Sequence, residues 1–187
     1  MLRERSASHK ILSTITNALI YILQEQQVRA VKTELQLRDG RFLAVEKGIL
    51  QACAESGDSK TLFFLVPIGL RQVAIQNIDT LAYVAMNETS RVYLSEVFNS
   101  DCQFKEATFE NYWCVYSSVS HKNPDNLKPM FLSVSKSGKM RPGYKTSKTK
   151  PEGHFLPKPI STQMLKIPTE EEIDAFQKPE IISNAMV

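Results

Sequence analysis

The sequence predicts an all-β body of twelve short strands in three similar units, preceded by a helix and followed by a tail. Three observations carry this expectation. Short runs of β-branched and aromatic residues alternate with turn residues; no helical period appears between residues 31 and 160; and aromatic-led segments return at a near-constant interval. The strand candidates are Thr33–Leu37, Phe42–Val45, Ile49–Ala52, Leu62–Val66, Gln72–Gln76, Ala82–Met86, Val92–Leu94, Cys102–Lys105, Tyr112–Ser117, Phe131–Val134, Lys139–Met140 and His154–Leu156. Asp39-Gly40, Lys47-Gly48, Ser56-Gly57-Asp58, Asn87-Glu88 and Ser137-Gly138 mark turns between them. A closed or capped arrangement would leave few open edges for other chains to pair with.

The repeat sharpens the symmetry. Phe42-Leu-Ala-Val45 returns as Tyr83-Val-Ala-Met86 and as Phe131-Leu-Ser-Val134, at offsets of 41 and 48 residues. Phe63, Phe104 and Phe155 form a second register at offsets of 41 and 51. The longer last interval coincides with the polar stretch His121–Pro129, which reads as an enlarged loop. Three units of four strands sharing one core imply threefold pseudosymmetry.

At the N-terminus, Ile11, Leu12, Ile15, Ala18, Leu19, Ile22 and Leu23 fall on one stripe of an amphipathic helix. That run reaches only about 20 Å, short of a ~30 Å hydrocarbon core, so it is not a membrane span. Arg3, Arg5 and Lys10 precede it as in an export signal, but no small-x-small cleavage site follows. Residues 161–187, with Pro168, Glu170–Glu172 and Pro179, read as a flexible tail. The expected organisation is therefore an amphipathic helix and tail over 1–28, a β domain over 29–160 and a flexible tail over 161–187.

Composition bounds the function. With 187 residues, 42% of them hydrophobic, the chain can build one sizeable core, and a net charge of +3 gives no reason to expect a nucleic-acid partner. Cys53, Cys102 and Cys114 lack CxxC spacing, which argues against a zinc site or a disulfide scaffold and for buried thiols in a reducing compartment. His9, His121 and His154 show no serine elbow or metal spacing. The chain thus reads as a binding module: no enzyme, no cofactor, no metal.

Charge is concentrated locally. Lys136, Lys139, Arg141, Lys145, Lys148, Lys150 and Lys158 face a single acid, Glu152, within 23 residues. Interleaved with Thr146, Ser147 and Thr149, these cations suit sulfate or phosphate oxygens. Asn87-Glu88-Thr89 is an N-glycosylation sequon in an expected hairpin turn, meaningful only on the secretory route. Strict alternation through Tyr112–Val115 would turn Tyr112 and Cys114 outward and Trp113 and Val115 inward with Phe109.

Ile68-Gly-Leu-Arg-Gln-Val-Ala-Ile-Gln76, Tyr83-Val-Ala-Met-Asn87, Cys102-Gln-Phe-Lys-Glu106 and Phe109-Glu-Asn-Tyr112 resemble the fibroblast growth factor family. Thr149-Lys-Pro-Glu-Gly-His-Phe-Leu-Pro-Lys-Pro159 resembles its intracellular branch, the fibroblast growth factor homologous factors. The resemblance covers roughly residues 31–160. It implies a β-trefoil that binds the cytoplasmic tail of voltage-gated sodium channels and modulates their gating, located in the cytoplasm with the nucleus as a second compartment. The channel-binding residues it implies are Arg71, Leu70, Tyr112 and Cys114, with Arg71 anchoring an acidic partner residue. For heparin-like glycans it implies Lys139, Arg141, Lys145, Lys148 and Lys150. The alternative it implies is a secreted growth factor that binds heparan sulfate and a fibroblast growth factor receptor to drive receptor tyrosine kinase signalling. Trp113-Cys114 stands where the homologous factors carry Tyr-Val, Tyr144 replaces an asparagine and Ser147 a lysine. The last two imply weaker glycan binding than in typical relatives.

Overall fold

The computed structural model describes residues 27–167. The helix expected over residues 11–23, and the tail from Pro168 onward, lie outside the described residues. Eleven strands form in order: β1 (Gln27–Leu37), β2 (Phe42–Glu46), β3 (Ile49–Cys53), β4 (Leu62–Gly69), β5 (Gln72–Asn77), β6 (Tyr83–Met86), β7 (Val92–Ser95), β8 (Phe104–Thr108), β9 (Cys114–Lys122), β10 (Pro129–Phe131) and β11 (Phe155–Lys166). Short 3-10 turns occupy Ser59–Thr61, Ser100–Cys102, Gly143–Lys145 and Pro151–Gly153.

Six strands close a barrel. β1 pairs with β4, β4 with β5, β5 with β8, β8 with β9, β9 with β11, and β11 back with β1, every pair antiparallel. The closing ladder runs from Gln27↔Lys166 to Leu37↔Phe155, with a register shift between Lys32 and Thr33. Hairpins β2–β3 and β6–β7 extend from the barrel strands. β10 and the segment through Met140 form the third member, joined by the single bridges Val134↔Met140 and Gln51↔Lys139.

Both repeat registers map onto this symmetry. Phe63, Phe104 and Phe155 occupy β4, β8 and β11, and all three are 0% exposed within one core cluster. Leu43, Val84 and Leu132, the second residues of the three aliphatic segments, join the same cluster at 0% exposure. The third residues, Ala44, Ala85 and Ser133, are also fully buried, and the Ser133 hydroxyl has no hydrogen-bond partner. Two of the three units place a methyl group where the third carries an orphaned oxygen. A smaller cluster on the outside of the barrel joins Ala30, Phe64, Val66, Ala74, Ala85, Phe98 and Cys102.

Several expectations need correction. The twelfth strand, Lys139–Met140, is reduced to isolated bridges, because Gly138 turns the chain at φ +87 just before it and Pro142 follows. The backbone at Gly138 packs so closely that a Cβ would lie 3.0 Å from Arg41 Nη1. β1 starts at Gln27, two residues inside the N-terminal segment expected to precede the β domain. β11 runs to Lys166, past the tail boundary at 160, because Ser161–Lys166 finds a complete pairing partner in Gln27–Lys32. β9 starts at Cys114, two positions after the expected Tyr112.

Glu34 is the one buried acid among the described residues. Its carboxylate accepts hydrogen bonds from Gly57 N at 2.7 Å, Thr61 Oγ1 at 2.7 Å and Ser56 Oγ at 3.1 Å, tying the β3–β4 connection to β1.

Candidate binding surface

Two exposed surfaces carry the expected site residues, and the fold brings them together. The first is the Leu70-Arg71 turn between β4 and β5. Leu70 is 92% exposed, and Arg71 takes a left-handed φ of +54. The Arg71 carbonyl accepts from Glu106 N at 2.9 Å, which fastens this turn to β8. The β8–β9 turn stands at the end of the same strand. Phe109 N donates to Trp113 O at 2.8 Å and Tyr112 N to Phe109 O at 2.9 Å, closing a tight loop that leaves Tyr112 77% exposed at φ +67.

That left-handed residue breaks the alternation expected through this segment. Tyr112 points outward as anticipated, but Cys114 is only 5% exposed, and Val115 and Tyr116 are buried beside it. The outward placement of Cys114 is therefore corrected: its thiol packs inside, with Sγ 3.3 Å from Thr108 Oγ1. Burial pushes the thiol pKa up, reinforced by the nearby Glu106 charge against an opposing Thr108 hydrogen bond, so Cys114 is inert packing. Burial, with Glu106 adding, likewise raises the Tyr116 phenol well above its ordinary value.

The second surface is the basic segment. Lys136, Lys139, Lys145, Lys148, Lys150 and Lys158 are exposed, while Arg141 is half-buried. Arg141 departs from the expectation of a free cation, because Nη1 bonds Glu152 Oε1 at 3.1 Å and Nη2 reaches Lys145 O at 3.4 Å. Glu152 sits below the usual carboxylate range; its own backbone N–H and the charges of Arg141 and Lys150 outweigh the upward push of burial.

Backbone bonds hold the lysine-bearing loop in shape. Gly138 N donates to Ser135 O, Arg141 N to Ser133 O, Lys145 N to Pro142 O, Lys150 N to Ser147 O and Gly153 N to Lys150 O, all at 2.9–3.1 Å. Gly143 packs closely in this path: a Cβ there would lie 2.7 Å from Met86 Sδ and 3.0 Å from Met130 Cβ, so the buried Met86 side chain would have to shift.

His154 joins the two surfaces, a role sequence reasoning missed. Its Nε2 donates to Lys148 O at 2.9 Å, and its Nδ1 accepts from Arg38 Nη2 at 3.3 Å. The ring packs on Phe109 at 4.9 Å, Lys148 Nζ lies 5.5 Å over the same Phe109, and the Arg38 guanidinium stacks 4.0 Å over Trp113. Arg38 gave no signal in the sequence, since a lone arginine before Asp39-Gly40 reads as an ordinary turn neighbour. The arrangement can present spaced cations to an anionic polymer and, beside them, an exposed Leu–Arg–Tyr face to a protein. Among the described residues no group of three or more His, Cys, Asp and Glu side chains is placed to hold a metal ion.

Comparison with known proteins agrees with this architecture. A family model described as fibroblast growth factor matches residues 13–156, reaching further toward the N-terminus than the resemblance read from the motifs. Fibroblast growth factor 10 of Mus musculus is 30% identical over 122 residues, an alignment that covers 65% of this chain and 57% of that protein. The chain thus spans little more than half the length of that curated relative. With a match across most of its length and a barrel that carries both repeat registers, the chain belongs to the fibroblast growth factor family, and its eleven-stranded body is a β-trefoil.

Proposed function

We propose that the protein is a secreted growth factor that binds heparan sulfate-like glycans through its basic loop and a fibroblast growth factor receptor through the adjoining Leu–Arg–Tyr face. One observation carries the reading: exposed lysines on a loop fixed by its own backbone bonds abut the Phe109–Trp113 turn through His154. A rigid loop presents its charges without first having to be ordered, and lysines act on sulfates as point charges. The matched family model and the mouse relative both carry the growth-factor name, and neither names a channel. They favour this reading over the intracellular, channel-binding one implied by the homologous-factor motifs. Leu70, Arg71 and Tyr112 are the proposed protein-contact residues, with Arg71 pairing an acidic group of the receptor. Lys139, Lys145, Lys148 and Lys150 are the proposed glycan contacts. Arg141 supports them by bracing the loop against Glu152.

The full chain is to be run on heparin resin and titrated by calorimetry against a receptor ectodomain and, separately, a sodium-channel cytoplasmic tail fragment. Changing Lys139, Lys145, Lys148 and Lys150 together to glutamine is expected to move elution to clearly lower salt, since screened charge contacts dominate such binding. Unchanged elution would refute the glycan site. Arg71→Ala is expected to leave elution unaltered and to weaken receptor binding by about 2 kcal/mol. Binding to the channel fragment with none to the ectodomain would overturn the growth-factor reading.

A further inference from the structure

We propose that Asn87 is a site of N-linked glycosylation; this rests on the secretory route assumed above. The residue opens the β6–β7 turn, Asn87-Glu88-Thr89-Ser90, and the turn's geometry sorts the two ends of its side-chain amide. Oδ1 accepts from Thr89 Oγ1 at 2.8 Å and from Arg91 N at 2.9 Å. The Arg91 N–H can only donate, so the atom facing it is the oxygen and the two ends of the amide are assigned without ambiguity. Nδ2 is left without a protein acceptor. It is not buried either, because the buried unpartnered side-chain atoms of the described residues are Ser90 Oγ, Ser133 Oγ, Thr146 Oγ1 and Glu152 Oε2. The nitrogen that would carry sugar therefore faces solvent, while the oxygen and the Thr89 hydroxyl secure the turn.

The surroundings leave room for a saccharide. Glu88 and Thr89 are exposed, and Ser90, at φ +66, turns the chain back into the fold, where its carbonyl accepts from Gly143 N at 2.9 Å. The far side of the turn forms one wall of a cavity of about 490 Å³, completed by Asn123, Asp125, Met130 and Tyr144. A sugar chain leaving Asn87 stands beside this cavity at the flank of the lysine loop. The Leu70-Arg71 turn is fastened to β8 instead.

The co-reactant is an oligosaccharide carried on a polyprenyl pyrophosphate. Nδ2 attacks C1 of the first sugar, the N–C bond forms, and the C–O bond to pyrophosphate breaks. The pyrophosphate leaves with the electron pair, and the amide loses one proton.

The test expresses the full chain in animal cells in two forms, as it stands and behind a cleavable leader that forces entry to the secretory route. The leader-borne chain is expected to migrate at higher mass, to return to its polypeptide mass on peptide N-glycosidase digestion, and to lose the shift in Asn87→Gln and Thr89→Ala. Thr89→Ser keeps the sequon and is expected to keep the shift, which separates loss of sugar from loss of the turn. A leader-borne chain that reaches the medium without sugar overturns the proposal. A glycosylated leader-borne chain beside an unmodified, retained native chain supports the site and overturns only the secretory reading.

Discussion

Phe104→Ala is expected to lower the free energy of unfolding by about 3–5 kcal/mol, the cost of emptying a fully buried aromatic site. Phe104 begins β8, is 0% exposed and shares its cluster with Phe63 and Phe155, so neighbouring strands cannot collapse into the gap without breaking barrel pairing. Phe104→Leu keeps most of the volume and should cost much less. Denaturant unfolding monitored at the lone Trp113 supplies the measurement. A shift no larger than that of the exposed control Tyr112→Ala would show that the threefold aromatic core is not what holds the barrel.

Glu34→Ala is expected to cost about 3 kcal/mol, because Gly57 N, Ser56 Oγ and Thr61 Oγ1 would lose a charged acceptor in a buried place. Burial by itself raises this carboxyl pKa. The hydrogen bonds from Gly57, Thr61 and Ser56, with the Lys158 charge, outweigh it and hold the group below its usual 4.5. A depressed folded-state value means the stabilisation is present above the unfolded carboxylate pKa and is lost as pH falls through the folded one. Stability of the native chain and of Glu34→Gln should therefore differ at pH 7 and converge as the solution is acidified below about 4.5. A difference that stays constant across that range would show that the negative charge of Glu34 does not hold the β3–β4 connection.

The core was legible in the sequence because burial in a repeated barrel writes a repeated pattern. Phe63, Phe104 and Phe155 could be picked from spacing alone, and all three are in the centre. Tyr112–Cys114 was misread because alternation assumes extended backbone, and one residue at φ +67 cancels it. The extra length of β1 and β11 carries little side-chain signal. Gln27–Ala30 and Ser161–Lys166 mix polar with few apolar residues, Ala30 being fully buried while most of Ser161–Lys166 is exposed, and their pairing is a backbone matter that side-chain patterns do not record. The lysine loop was visible as a charge cluster. Its bracing by His154 and Arg38 was not, since one of those contacts joins residues 116 positions apart and the other runs to a backbone carbonyl that side-chain patterns do not record.

The ladder between β1 and β11 also bears on how the molecule is made. Synthesis delivers β1 early and its long partner only after the nine strands that lie between them in the chain. Hairpins such as β2–β3 and β6–β7 can form as they leave the ribosome, whereas the ring stays open until the last strand arrives. During that interval the unpaired flank of β1 is open to the wrong strands, and a chaperone that shields it would act on this stretch before any other.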